Sequence, residues 1–181
     1  MVRMLESIAR ALDVIVEGCG RLAAWTGFAL VLVMAGNVLM RYAFHTGSVA
    51  MQELEWHLMS PLTLLCIAYT IKHEGHVRVD ILFARLPPRV QQAIDLFSAF
   101  SVVALAVIVI ILSWPYVMQS YRIGEGSPDP GGLPGRFILK AMIPAGFALL
   151  LLQSLAATAR ALAALLSPVG TPPAQVPANA L

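Results

Sequence analysis

A chain of 181 residues with 59% hydrophobic and 12% charged side chains is far oilier than an average soluble domain, where about 25% of residues are charged. Its formal net charge of +2 comes without a basic stripe, so no nucleic acid is expected as a partner. The composition is that of an integral membrane protein partnered by the lipid bilayer.

The first twenty residues differ from the rest of the chain. Leu5, Ile8, Leu12 and Ile15 recur at three- and four-residue steps, opposite Arg3, Glu6, Arg10, Asp13 and Glu17, which is the pattern of an amphipathic helix. Residues 1–20 are therefore expected as an N-terminal amphipathic interfacial helix on the inner membrane surface, joined at Gly18 and Gly20 to the first span. A polar-faced cytosolic extension of that span is the alternative. The acidic residues and the lack of a small-residue cleavage site argue against a cleaved signal peptide.

Four apolar runs then occupy residues 21–166, at 22–40, 56–71, 93–118 and 141–166. A helix rises about 1.5 Å per residue and the hydrocarbon core is about 30 Å thick, so roughly 20 residues cross it. The second run is short and must recruit residues 51–55. None alternates as a barrel strand would, so the fold class is all-α, with four transmembrane helices. Gly27, Ala35, Gly36, Ala145 and Gly146 are expected to let these spans pack closely beside a partner's.

Arg41 closes the first run, one turn after Asn37, and Glu53 and Glu55 open the second on the same side. Either an ion pair fixes this hairpin or the three charges are solvated, where a partly exposed pair contributes only about 0–1 kcal/mol. After the second run, HEGHVRVDILFARLPPR (73–89) offers metal-ligand atoms from His73, Glu74, His76 and Asp80 but no evident shielding. No metal is expected. His76, Arg78 and Asp80 are assigned to fixing an inner turn or meeting a larger subunit, with lipid headgroup contact as the competing role.

The connection GEGSPDPGGLPGRF (124–137) holds three prolines and five glycines and is longer than the roughly two to eight residues usual between bundle helices. Glu125, Ser127, Asp129, Gly131, Gly132, Pro134 and Arg136 make it a candidate docking loop; an ordinary connector would need the same turn residues. The tail SPVGTPPAQVPANAL (167–181) has four prolines and no charged side chain and is expected as a disordered cytoplasmic tail.

Orientation follows from the basic residues of the short connections. Arg3, Arg10, Arg21, Lys72, Arg78, Arg85, Arg89 and Arg160 fall on one side, against Arg41, Arg122, Arg136 and Lys140 on the other, which puts both termini in the cytoplasm. The middles of the four runs lack Asp, Glu, Lys and Arg; Asn37, Ser60, Thr63, Gln153 and Ser154 are their most polar groups. There is no paired broken helix, so the chain alone makes no ion or substrate path. The third and fourth runs contain no histidine, so haem between spans is disfavoured, although a small haem-anchoring or redox membrane subunit stands as the alternative function. No enzymatic centre and no cofactor are expected.

Four segments in order, NVLMRYAFHTG (37–47), QELEWHLM (52–59), AYTIKHEGHVRVDIL (68–82) and the proline-started last span after Ile143 and Pro144, resemble the small permease subunit of TRAP transporters, the DctQ-like family. One departure is that Trp56 follows the acidic pair, where many relatives place a tryptophan before it. The resemblance implies a non-catalytic, multi-pass subunit of the bacterial inner membrane that scaffolds a large TRAP permease subunit. It further implies a periplasmic solute-binding protein as partner and sodium-coupled import of organic acids.

Overall fold

The computed structural model describes residues 2–73, 83 and 85–166. These form α1 (Val2–Phe44), α2 (Val49–Lys72), α3 (Pro88–Arg122) and α4 (Arg136–Leu166), with no strand among the described residues. Three helices, over Met4–Phe44, Pro88–Arg122 and Arg136–Ala163, are long and apolar enough to cross a membrane. The 24-residue α2 falls short of that standard because Glu53, Glu55 and His57 dilute its opening turns.

Local chemistry sets the helix limits. Ser48 caps α2 by accepting the Met51 N–H at 3.4 Å, and Pro88 opens α3, where a missing N–H costs nothing. At the end of α3, Gly124 takes φ +59. Its N–H donates to the Tyr121 carbonyl at 3.1 Å and that of Glu125 to the Ser120 carbonyl at 3.0 Å, the paired bonds of a Schellman cap. Pro61 lies inside α2, and the adjacent Ser60 and Thr63 hydroxyls bond back to the carbonyls of Trp56 and Met59 at 3.1 and 2.7 Å, which helps a helix tolerate proline in a dry setting.

α1, α2 and α4 pack on one another, while α3 rests chiefly on α4. The 123–135 connection and the α1–α2 turn share one end of the bundle, here the loop end; α1 starts and α2 and α4 finish at the other, terminal end. Contacts inside the bundle are made by small groups, Ala9, Val16 and Ala23 on α1, Ala68 on α2, Ala106 on α3 and Ala156 on α4. Trp25, Phe28, Phe97 and Leu112 face outward. That inversion suits lipid, where close van der Waals approach rather than water exclusion holds helices together.

Two of the glycines expected to receive a partner are used within the chain instead. A Cβ on Gly146 would stand 2.7 Å from the Leu64 carbonyl oxygen, and one on Gly27 would press on Leu62 at 3.2 Å. Ala35 and Ala145 remain on the outer surface.

α1 runs unbroken through Gly18 and Gly20, so the first twenty residues continue the first long helix rather than turning away as a separate surface helix. Gly20 sits beneath the Tyr69 ring, where any Cβ would overlap it, while Gly18 meets nothing. Ile8 and Ile15 face outward, as an apolar stripe against lipid would, but Asp13 and Glu17 turn inward to cations on α2 and α4. Those ion pairs hold the segment in line with the bundle. The tail from residue 167 lies outside the described residues.

Candidate functional site at the loop end

The connection between α3 and α4 is built turn by turn. Asp129, Pro130, Gly131 and Gly132 form a β-turn closed by the Gly132 N–H on the Asp129 carbonyl at 3.0 Å, with Gly131 at φ +81. Proline second and a positive-φ glycine third define a type II turn. The Ser127 hydroxyl accepts the Asp129 N–H at 3.1 Å, the Ser127 N–H reaches the Leu133 carbonyl at 3.2 Å, and the Arg136 N–H returns to the Glu125 carbonyl at 3.0 Å. The segment is thus an ordered, self-bonded loop.

Its inner side closes on Glu53, which is only 4% exposed. The Ser127 hydroxyl donates to Glu53 Oε1, the Leu133 N–H donates to Oε2 at 2.6 Å, and the Arg136 guanidinium stands 4.0 Å from Oε1. Gly132 makes room for this approach, since a Cβ there would lie 2.8 Å from Oε2. A second pair braces the loop's base. Lys140 Nζ bonds Glu125 at 2.5 Å and lies 4.1 Å from the centre of the Tyr116 ring, a cation–π position. The Lys140 ammonium holds the Glu125 carboxyl below its ordinary range. Below the loop, Ser60, Leu64, Tyr116, Leu139 and Ile143 line a cleft of about 350 Å³ between α2, α3 and α4.

The expected residues are brought together differently from the expected ion pair. Asn37, 6% exposed, donates to Glu55 Oε1 at 2.9 Å and fixes the α1–α2 hairpin. Glu53 faces the loop, and Arg41 is exposed and bonds neither glutamate among the described residues. The cause is burial: neutral Asn37 enters the interface more cheaply than a guanidinium. His57 donates its Nδ1–H to the Glu53 carbonyl at 2.7 Å. Asp129, Gly131 and Pro134 are exposed on the outer side of the loop. His76, Arg78 and Asp80 lie outside the described residues.

A second cluster, at the terminal end, was missed in the sequence. Glu17 Oε2 receives Lys72 Nζ at 2.5 Å and meets His73 Nε2 at 3.0 Å, and Arg160 Nη1 donates to Asp13 Oδ2 at 2.7 Å. Gln153, 1% exposed, fits between them with its amide turned to donate to Asp13 Oδ1 at 3.3 Å and accept from Arg160 at 3.2 Å. The available signal was two acids one turn apart on the same side as Lys72 and Arg160.

Ionic groups thus gather at the two bundle ends of an apolar-skinned helical molecule, and no group of three or more His, Cys, Asp or Glu among the described residues is placed to hold a metal. This is the build of a membrane protein. Residues 30–164 match the family model of the DctQ component of tripartite ATP-independent periplasmic transporters. The chain belongs to that family, a family of transporter components rather than catalysts. It is 26% identical over 88 residues to the C4-dicarboxylate TRAP transporter small permease protein DctQ of Vibrio cholerae serotype O1. That stretch covers 49% of this chain and 38% of the relative's length. The family match includes Glu53 and the 123–135 loop and begins after Asp13 and Glu17.

Proposed function

We propose that the chain is the non-catalytic small subunit of a tripartite, binding-protein-dependent, sodium-coupled importer of organic acids, in which it scaffolds the large permease. In this reading all four helices span the inner membrane, both termini are cytoplasmic, and the loop end faces the periplasm. The 123–135 loop then receives the periplasmic solute-binding protein or lines the outer face of the permease. Organic acid as the solute class is supported by the C4-dicarboxylate label of the Vibrio relative. The haem-anchoring alternative gains nothing from a family of transporter components.

The observation that carries the reading is the family match over residues 30–164, joined to ion pairs that gather toward the two ends of the bundle. On this reading the ion path belongs to the large permease rather than to this chain. Reconstitution tests this directly. Liposomes with permease and binding protein should take up solute under a sodium gradient only when this chain is present, and liposomes with this chain alone should not. Full uptake without it would overturn the accessory role.

A further inference from the structure

The 123–135 loop bonds to a residue 80 positions before Leu133. Two donors of the loop, the Ser127 hydroxyl and the Leu133 N–H, converge on the two oxygens of one buried carboxylate. A carboxylate only accepts, so it can serve both at once, and Arg136 adds a compensating charge at 4.0 Å. Ser127 also accepts the Asp129 N–H at 3.1 Å, so its hydroxyl links the buried carboxylate to the exposed turn.

We infer that Glu53 is a positioning residue, a latch at the opening of α2 that holds the 123–135 loop in the single conformation a docking partner meets. The use made of that conformation rests on the docking reading above; the latch does not. Glu55, two residues on, marks the contrast, because its bond runs to Asn37 of α1 and not to the loop. Glu53→Gln keeps the size of the side chain but removes its charge and turns one acceptor into a donor. With the amide oxygen on the Leu133 N–H, the Ser127 hydroxyl must turn round to accept, both charge-assisted bonds become weaker neutral ones, and Arg136 loses its counter-charge. Gly132 does not compensate, since its role is to leave space for the carboxylate.

Hydrogen exchange read by mass spectrometry on the assembled transporter tests this. Glu53→Gln should speed exchange across residues 127–135, Leu133 above all, by about tenfold or more. The amides of α3 and α4 should stay protected, and Glu55→Gln should leave the loop as it is. Where Glu53→Gln impairs assembly, Ser127→Ala removes one of the two donors without touching α2 and should also loosen the loop. Unchanged loop exchange in both assembled Glu53→Gln and Ser127→Ala would overturn the latch. In uptake assays, the binding-protein concentration for half-maximal rate should rise in Glu53→Gln while the maximal rate per complex is kept. Faster loop exchange with no change in that concentration would uphold the latch and remove the docking reading instead.

Discussion

Arg160 donates to Asp13 across 2.7 Å and so joins α4 to α1 over 147 positions of sequence. Gln153 completes the contact from inside the bundle, and Glu17 with Lys72 repeats the device between α1 and α2. The terminal end is therefore tied across three helices, as the loop end is tied by Glu53.

The Asp13–Arg160 pair is half shielded, with side chains 15% and 41% exposed. A double-mutant cycle with Asp13→Asn and Arg160→Gln, read as thermal stability in detergent, should give a coupling of about 1 kcal/mol. Exchanging the two charges should recover part of it. Strict additivity would show that the pair contributes nothing.

The helical runs and their order were legible in the sequence because four apolar stretches separated by turn residues leave little choice in lipid. Family membership was legible too, through short segments repeated in order. The orientation of α1 was not. Its apolar stripe Ile8 and Ile15 is outermost, and Asp13 and Glu17, which look like a solvated face, turn inward, because their partners Lys72 and Arg160 are more than fifty positions away. For the same reason the pairing of Asn37 with Glu55, rather than Arg41 with either glutamate, had no local signal. The turn chemistry of residues 124–136 was readable from its prolines and glycines, but its hydrogen bonds to Glu53 were not.

Gly146 stands against the backbone of Leu64. Gly146→Ala should lower stability by about 1–3 kcal/mol, since a backbone carbonyl cannot move aside as a side chain would. Gly18→Ala, with nothing within 4 Å, should be neutral or stabilise α1 by about 0.5–1 kcal/mol. Equal effects of the two in a thermal melt would refute this assignment of packing.

The Lys140 ammonium depresses the Glu125 carboxyl below its ordinary value of 4.5. A carboxyl depressed in the folded state adds stability that is fully present above the ordinary value and is lost as pH falls through the folded one. The thermal midpoint of the complex should thus lose this contribution only in the acid range, below about pH 4.5. Glu125→Gln should lower the midpoint at neutral pH and flatten the acid fall. A Glu125→Gln profile that overlays the parent's would remove the ion pair from the account.

Four spans with both termini cytoplasmic require Pro88 and the exposed Asp129 to lie on opposite faces of the membrane. Cysteines placed at each position in turn should differ in labelling by an impermeant thiol reagent in whole cells, with Asp129→Cys reacting and Pro88→Cys silent until the membrane is opened. Labelling of both from outside would contradict the topology, and with it the periplasmic placement of the loop.

On the docking reading proposed above, the 123–135 loop meets the binding protein. The most direct test is uptake by the assembled transporter against binding-protein concentration, at low and high ionic strength, with residues 127–134 replaced by a Gly/Ser linker. The half-saturating concentration should rise at both ionic strengths, with the maximal rate per complex retained. Charge reversal at the exposed Asp129 should weaken uptake more at low ionic strength than at high, because exposed charges act mainly on association and are screened by salt. An unshifted concentration dependence in the linker variant would contradict the claim and reduce the loop to a connector.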